Sequence, residues 1–189
     1  WLNGDCVTAS FGEHTVTGVL CDNPYFESWH LISQIKDSSV GGCPSSVRTT
    51  GNTGSLSSNA YSIIGDVGDA RRIFRGSDDK YRLKLIYENW DGTNYTIEWK
   101  QTSWIEAITI TGYEAIDVPT QTVGTCGIFK GLGLSNAAAV SFLDGNGGEG
   151  CWWNSVCTLE PITFTTSGYT GMPAFQAKVA RSYKLYIFS

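Results

Sequence analysis

Two carboxylates and an amide crowd one short glycine loop in Phe142-Leu143-Asp144-Gly145-Asn146-Gly147-Gly148-Glu149-Gly150. Oxygens from Asp144, Asn146 and Glu149, with nearby backbone carbonyls, could converge on a hard cation, and calcium is the cofactor such a set would take. The loop is not an EF-hand, because Glu149 stands at the sixth position, where that motif turns on glycine. A solvated Asp-Gly-Asn-Gly turn accounts for the same residues without metal. Directly after it comes Cys151-Trp152-Trp153-Asn154-Ser155-Val156-Cys157. An indole offers a rigid apolar face with an N–H that needs a partner, so this pair either fills a core or walls a ligand pocket.

Other chemistries have weaker signals. Ser or Cys nucleophiles need a base, and the only histidines are His14, in a polar turn, and His30, which heads a strand pattern after Trp29. Neither lies in a nucleophile or metalloprotease motif, and ordinary structural placement is expected for both. Paired carboxylates for glycoside chemistry have a three-dimensional spacing that sequence does not exclude, yet no pair is singled out. Gly131-Leu132-Gly133-Leu134-Ser135-Asn136 lacks the third glycine of a dinucleotide loop and reads as a glycine-rich turn. No catalytic residue is assigned, and the chain is read as non-enzymatic.

The chain has 189 residues, 41% of them hydrophobic and 16% charged, which excludes a disordered protein and suits one domain over residues 1–189. Its formal net charge is -5, with Lys and Arg scattered, so it presents no electrostatic footprint for nucleic acid or an anionic membrane. Cys6, Cys21, Cys43, Cys126, Cys151 and Cys157 form an even set without a C-x-x-C pair or an adjacent histidine, which argues for disulfides over zinc. Sequence alone allows about 15 connectivities. Asn94-Tyr95-Thr96 is a glycosylation acceptor on a turn. With no long apolar run and no leader before Trp1, the expectation is a mature secreted, extracellular chain or a domain of a longer precursor.

The elements that must position these residues are mostly strands. Val16–Leu20, Trp29–Ile35, Tyr81–Glu88, Tyr95–Gln101, Ile105–Thr111 and Tyr183–Phe188 are rich in β-branched and aromatic residues. In the hairpin Tyr81 to Gln101, Tyr81, Leu83 and Leu85 face opposite to Arg82 and Lys84. After a turn at Asp91-Gly92-Thr93-Asn94, Tyr95, Ile97 and Trp99 alternate with Thr96, Glu98 and Lys100. Asp66–Phe74 predicts a short helix with Asp66 or Asp69 near its start, and Asn136–Val140 a turn of one. Asp37–Asn59 and Ser141–Gly150 read as long polar loops.

These residues follow an ordered series that resembles a divergent fibrinogen C-terminal-like domain. Asp5-Cys6 and Val19-Leu20-Cys21-Asp22 are similar to that family's opening cysteine pair, and Ser28-Trp29-His30-Leu31-Ile32 resembles the strand that follows. The Tyr81–Gln101 hairpin, Ser141–Asn146 at the place of the calcium loop, Trp152-Trp153-Asn154-Ser155-Val156-Cys157 at the ligand pocket, and the closing strand Ser182–Ile187 continue the series. The acidic loop is shorter than the family's, Cys151 stands where the family has a small residue, and Cys43 and Cys126 are additional. The resemblance implies a disulfide-stapled α+β fold with Cys6–Cys21 paired, and a Cys151–Cys157 bridge is favoured beside it, leaving Cys43 with Cys126. It further implies metal oxygens from Asp144 and Asn146, and a pocket shaped by Trp152, Trp153, Asn154 and Cys157.

The expected fold is mainly β with little helix and long loops, fibrinogen C-terminal-like, with an antiparallel β-sandwich as the alternative. Two functions follow. One is a secreted recognition module that binds a glycan (an acetylated sugar) or a peptide terminus. The other is a structural extracellular protein that self-assembles as a homo-oligomer into a filament, coat or matrix through strand edges.

Overall fold

The structure is a computed structural model, and it describes residues 9–11, 14–16, 28–37, 52–89, 91–118, 129–134, 143–145, 152–153, 169–170 and 180–189. It is mainly β, with an antiparallel sheet and one short helix among the described residues.

Seven strands form the main sheet: β3 (Trp29–Ile35), β4 (Asn52–Thr53), β5 (Ala60–Ile63), β6 (Tyr81–Asn89), β7 (Asn94–Gln101), β8 (Glu114–Asp117) and β13 (Ala180–Phe188), in spatial order β4-β5-β3-β13-β6-β7-β8. All their pairings are antiparallel. The last strand of the chain, β13, lies at the centre between β3 and β6, so the sheet closes only when the two ends of the sequence meet. The β6–β7 hairpin keeps the register its alternation predicts: Leu83 opposes Trp99, Leu85 opposes Ile97 and Tyr87 opposes Tyr95. These residues, with Tyr183, Leu185 and Ile187 of β13, bury the inner face.

Over this face lie the helix α1 (Ile64–Ala70), which buries Ile64 and Val67, and a 3-10 turn (Arg71–Phe74) that buries Phe74. Asp66 sits in the first turn of the helix. Trp104, Ile105, Phe129, Leu132 and Leu143 complete the core. Trp99 meets Phe129 edge to face at 4.9 Å, a packing that adds to simple burial.

Outside the main sheet stand three strand pairs among the described residues. These are β1 (Ala9–Phe11) with β2 (His14–Val16), β9 (Gly133–Leu134) with β10 (Leu143–Asp144), and β11 (Trp152–Trp153) in parallel with β12 (Tyr169–Thr170).

Several expectations are corrected. Ile105–Thr111 is not a strand. Ala107 N–H donates to Trp104 O, and Thr102 and Ser103 both donate to Thr111 O, so the segment closes on itself as a compact loop. Gly112 at φ +66 makes that closure against Thr102, where a side chain would collide with the Thr102 hydroxyl. The alternating apolar residues are divided between the core, which takes Ile105, and the surface, where Ile108 is 54% exposed. His14 lies in β2 opposite Phe11 rather than in a turn, and of the expected Val16–Leu20 strand only Val16 is described, as the end of β2. The loops 37–59 and 141–150 contain the short strands β4 and β10, because Asn52–Thr53 finds the free edge of β5 and Leu143 has a core to enter. Asn136–Val140 lies outside the described residues.

The glycine-rich turn 131–134 has a packing reason. Gly131 at φ +99 presses on Gln101 and Ile110, and a Cβ at Gly133 would stand 2.7 Å from the Ala107 carbonyl. Only glycine lets this backbone come so close.

Candidate functional site

The second face of the main sheet carries the groups that could meet a ligand. Because directly opposed residues share a face, the register lays them out in rows across β3, β13, β6 and β7. Trp29, Phe188, Arg82 and Lys100 form the first row, and Leu31, Tyr186, Lys84 and Glu98 the second. Gln34, Lys184, Ile86 and Thr96 make the third, and Lys36, Ser182, Glu88 and Asn94 the fourth. Two residues of strand advance about 7 Å, so the rows together span roughly 20 Å.

The first two rows are already committed to one another. Trp29 and Phe188 meet edge to face at 5.1 Å. The Arg82 guanidinium sits 4.7 Å from the Phe188 ring centre and 5.3 Å from that of Trp29, and Lys84 Nζ lies 3.7 Å from the Trp29 centre. Glu98 anchors both cations, accepting from Arg82 Nε at 2.7 Å and lying 3.8 Å from Lys84 Nζ. With its own cations over its ring, Trp29 is not an open stacking platform.

The last two rows are different. They line a cleft of about 320 Å³ formed by Gln34, Lys36, Ile86, Glu88, Asn94, Ser182 and Lys184. On its β3 side the two lining residues are tied to the turn Ser55–Ser58. Lys36 Nζ donates to Leu56 O and Ser57 O at 2.7 and 2.8 Å, and Gln34 Nε2 donates to Leu56 O at 3.1 Å. Asn59 closes the corner through Asp37, donating from Nδ2 to its carbonyl and accepting from its N–H. Opposite, Ser182 Oγ donates to Glu88 Oε2 at 3.1 Å, and Arg181 sits between Asp37 and Glu88 at 3.6 and 3.7 Å.

Lys184 Nζ and the Asn94 amide make no hydrogen bond or ion pair with the described residues, and Ile86 offers the apolar surface between them. The cleft therefore has a hydrogen-bonded β3 side, unspent donors on Lys184 and Asn94, and the Glu88 carboxylate.

The sequence-predicted site residues fall elsewhere. Asp144 is in β10 opposite Gly133, and Trp152 and Trp153 form β11 opposite Tyr169 and Thr170. Asn146, Glu149, Asn154 and all six cysteines, Cys6, Cys21, Cys43, Cys126, Cys151 and Cys157, lie outside the described residues. Asn94, expected only as a glycosylation acceptor, is exposed at the start of β7 and lines the cleft. The other cleft residues were not anticipated. Their only signal in the sequence is that Lys184, Ser182 and Glu88 occupy outward positions of β13 and β6, whose inward positions are apolar, while Gln34 shares their face but is buried.

His30 joins the strand ends. Its Nε2 lies 3.0 Å from Ser28 Oγ and 2.7 Å from Ser189 Oγ, while Ser28 and Ser189 exchange two backbone hydrogen bonds at 3.0 and 3.1 Å. Its ring packs edge-on against Phe74 at 5.7 Å.

No family model matches the chain, and no curated protein or solved structure matches it.

Proposed function

We propose that the chain is a secreted, non-enzymatic recognition module that binds a glycan or a peptide terminus. The observation that carries this is the cleft on the second sheet face, where Lys184, Asn94, Glu88 and Ser182 present polar groups around Ile86. Small-ligand sites of this kind combine a concave shape with a few convergent polar groups on a rigid support. The fold proposed with it is a disulfide-stapled, fibrinogen C-terminal-like domain, on the strength of the sequence resemblance. In that fold Asp144 and Asn146 hold calcium, with Glu149 added from the composition of the same loop, beside a pocket shaped by Trp152, Trp153, Asn154 and Cys157. Support for that second site is the order of its residues in the sequence, with the Trp pair following the acidic glycine loop.

Two measurements test the proposal. A panel of immobilised glycans and peptides should retain the chain as a discrete species; retention of none overturns recognition. Thermal unfolding with calcium and with EDTA should show a higher midpoint with calcium in wild type and no response in Asp144→Ala. A site filled at a hundred times its dissociation constant adds about 2.7 kcal/mol of stability. Equal midpoints in wild type overturn the calcium loop and leave the cleft standing.

Self-assembly is favoured by one separate observation. Both outer strands of the main sheet are unpaired on their far side among the described residues, and β8 exposes all four of its residues, with Ile116 44% exposed. A β8 edge meeting a β4 edge of the next copy would build an open filament. Particle size that grows with protein concentration is its signature.

A further inference from the structure

We propose that the cleft on the second sheet face selects a carboxylate-bearing sugar, with Lys184 reading the acid. The inference rests on the recognition function and names its ligand class. Its physical basis is the division of labour among the lining residues. Lys36 keeps its charge but spends two of its three N–H donors on the Leu56 and Ser57 carbonyls, which hold it at the edge of β3. Lys184, opposed by Gln34 on one side and Ile86 on the other, stands in the middle of the third row and makes no ion pair with the described residues. It is the lining cation that makes no hydrogen bond with the described residues, so all its donors are open to a ligand.

Glu88 is held in place by Ser182 and faced by Arg181, which leaves a fixed acceptor for ligand hydroxyls. Gln34 is buried and spends Nε2 on the Leu56 carbonyl, so it frames the cleft. Sugar hydroxyls can donate to the Glu88 carboxylate, and the ring's C–H face matches Ile86. The volume of about 320 Å³ suits one or two sugar rings. A peptide is a poorer match: extended peptides bind sheets through an edge, where backbone groups are free, and here the ladder consumes them. The cleft also offers a single apolar side chain, too little for the side-chain pockets a peptide needs.

The full chain is titrated with methyl β-glucuronide and methyl β-glucoside at fixed ionic strength, following backbone amide NMR shifts of Gln34, Ile86, Glu88 and Lys184. The glucuronide should move these amides and saturate, and the glucoside should bind about fivefold more weakly, the equivalent of one exposed charge pair. Lys184→Gln, at an exposed position and with an unchanged melting midpoint, should bring the two sugars to equal affinity. Acetate binding as tightly as the glucuronide, or a peptide with a free C-terminus doing so, overturns the sugar assignment. Equal affinity of both sugars for wild type overturns the role of Lys184 and leaves glycan recognition intact. No shift at the cleft with either sugar removes the cleft from the recognition function altogether.

Discussion

Gln101 holds Leu132 by both of that residue's backbone groups. Its Oε1 accepts from Leu132 N–H and its Nε2 donates to Leu132 O, each at 2.8 Å. The same amide accepts from Trp99 Nε1 and donates to Ser103 O, again at 2.8 Å, so all four of its hydrogen bonds are made while it is fully buried. A buried side-chain amide in effect continues the sheet onto the segment that leads into β9. The pair β9–β10, which carries Asp144, is thereby fixed to the end of β7. Leu134 N–H donating to Ala107 O at 3.0 Å makes a second tie.

Gln101→Leu should therefore be among the most destabilising single changes in the chain. It orphans the Trp99 indole N–H, the Leu132 N–H and two carbonyls, each a buried group whose unmet hydrogen bond costs about 1–3 kcal/mol. A loss of about 3 kcal/mol or more is expected in denaturant unfolding. A loss below about 1 kcal/mol would mean that water replaces the amide.

Burial pushes the Tyr183 phenol well above the ordinary tyrosine range, against the smaller opposing effect of its hydrogen bond with Ser33. That bond is 2.8 Å long and buried. In the unfolded chain the phenol ionises near pH 10, roughly, while the folded chain keeps its proton. Above that pH the folded state binds more protons than the unfolded one, so stability falls as pH rises. Melting midpoints from pH 8 upward should decline past about pH 10, and Tyr183→Phe should flatten that decline. The same variant leaves Ser33 Oγ without this partner and should lose about 1–2 kcal/mol at neutral pH.

At the acid end, Asp78 is held below the usual carboxylate range chiefly by the hydrogen bond from Lys100, and Glu114 by that from Lys80. The distances are 2.6 and 2.7 Å. A depressed carboxylate contributes stability above its unfolded pKa and loses it as pH falls through the folded value. Stability should thus drop below about pH 4, and Asp78→Asn should make the drop shallower. Because these groups are exposed, the effect is small and salt weakens it. A drop that stays equally steep in Asp78→Asn at low salt would place its origin elsewhere.

What the sequence made legible was local. Runs of β-branched and aromatic residues located β3, the β6–β7 hairpin and most of β13, and in the hairpin period-two alternation divided the two faces correctly, because half-buried strands must alternate. The short helix was visible in Asp66–Phe74. What it did not reveal depends on partners distant in the chain. Ile105–Thr111 alternates as a strand does, yet Gly112 and the approach of Gly133 to Ala107 fold it into a loop. The cleft is assembled from Gln34, Ile86, Asn94 and Lys184, which belong to four strands. Lys184 meets Gln34 and Ile86 only through a register set by β13 entering between β3 and β6. No spacing along the chain announces that meeting.

Asn94 brings the sequence-predicted modification and the cleft into conflict. It begins the acceptor triplet Asn94-Tyr95-Thr96, is exposed, and lines the same cleft as Lys184. Because Asn94 lines the cleft with Ile86, a glycan on its amide is expected to compete for the space a ligand would take. Expressed through a secretory host, the chain should carry a glycan detected by intact mass, and that form should lose glucuronide binding. Thr96→Ala destroys the acceptor without altering Asn94, and Thr96 is itself exposed at a strand position facing solvent. From the same host, Thr96→Ala should bind as the unmodified chain does. If the glycosylated chain binds the glucuronide equally well, the glycan points away from the cleft and leaves the site open. If Thr96→Ala regains binding, modification at Asn94 acts as a cap on the site, and the host's glycosylation decides whether the module is competent.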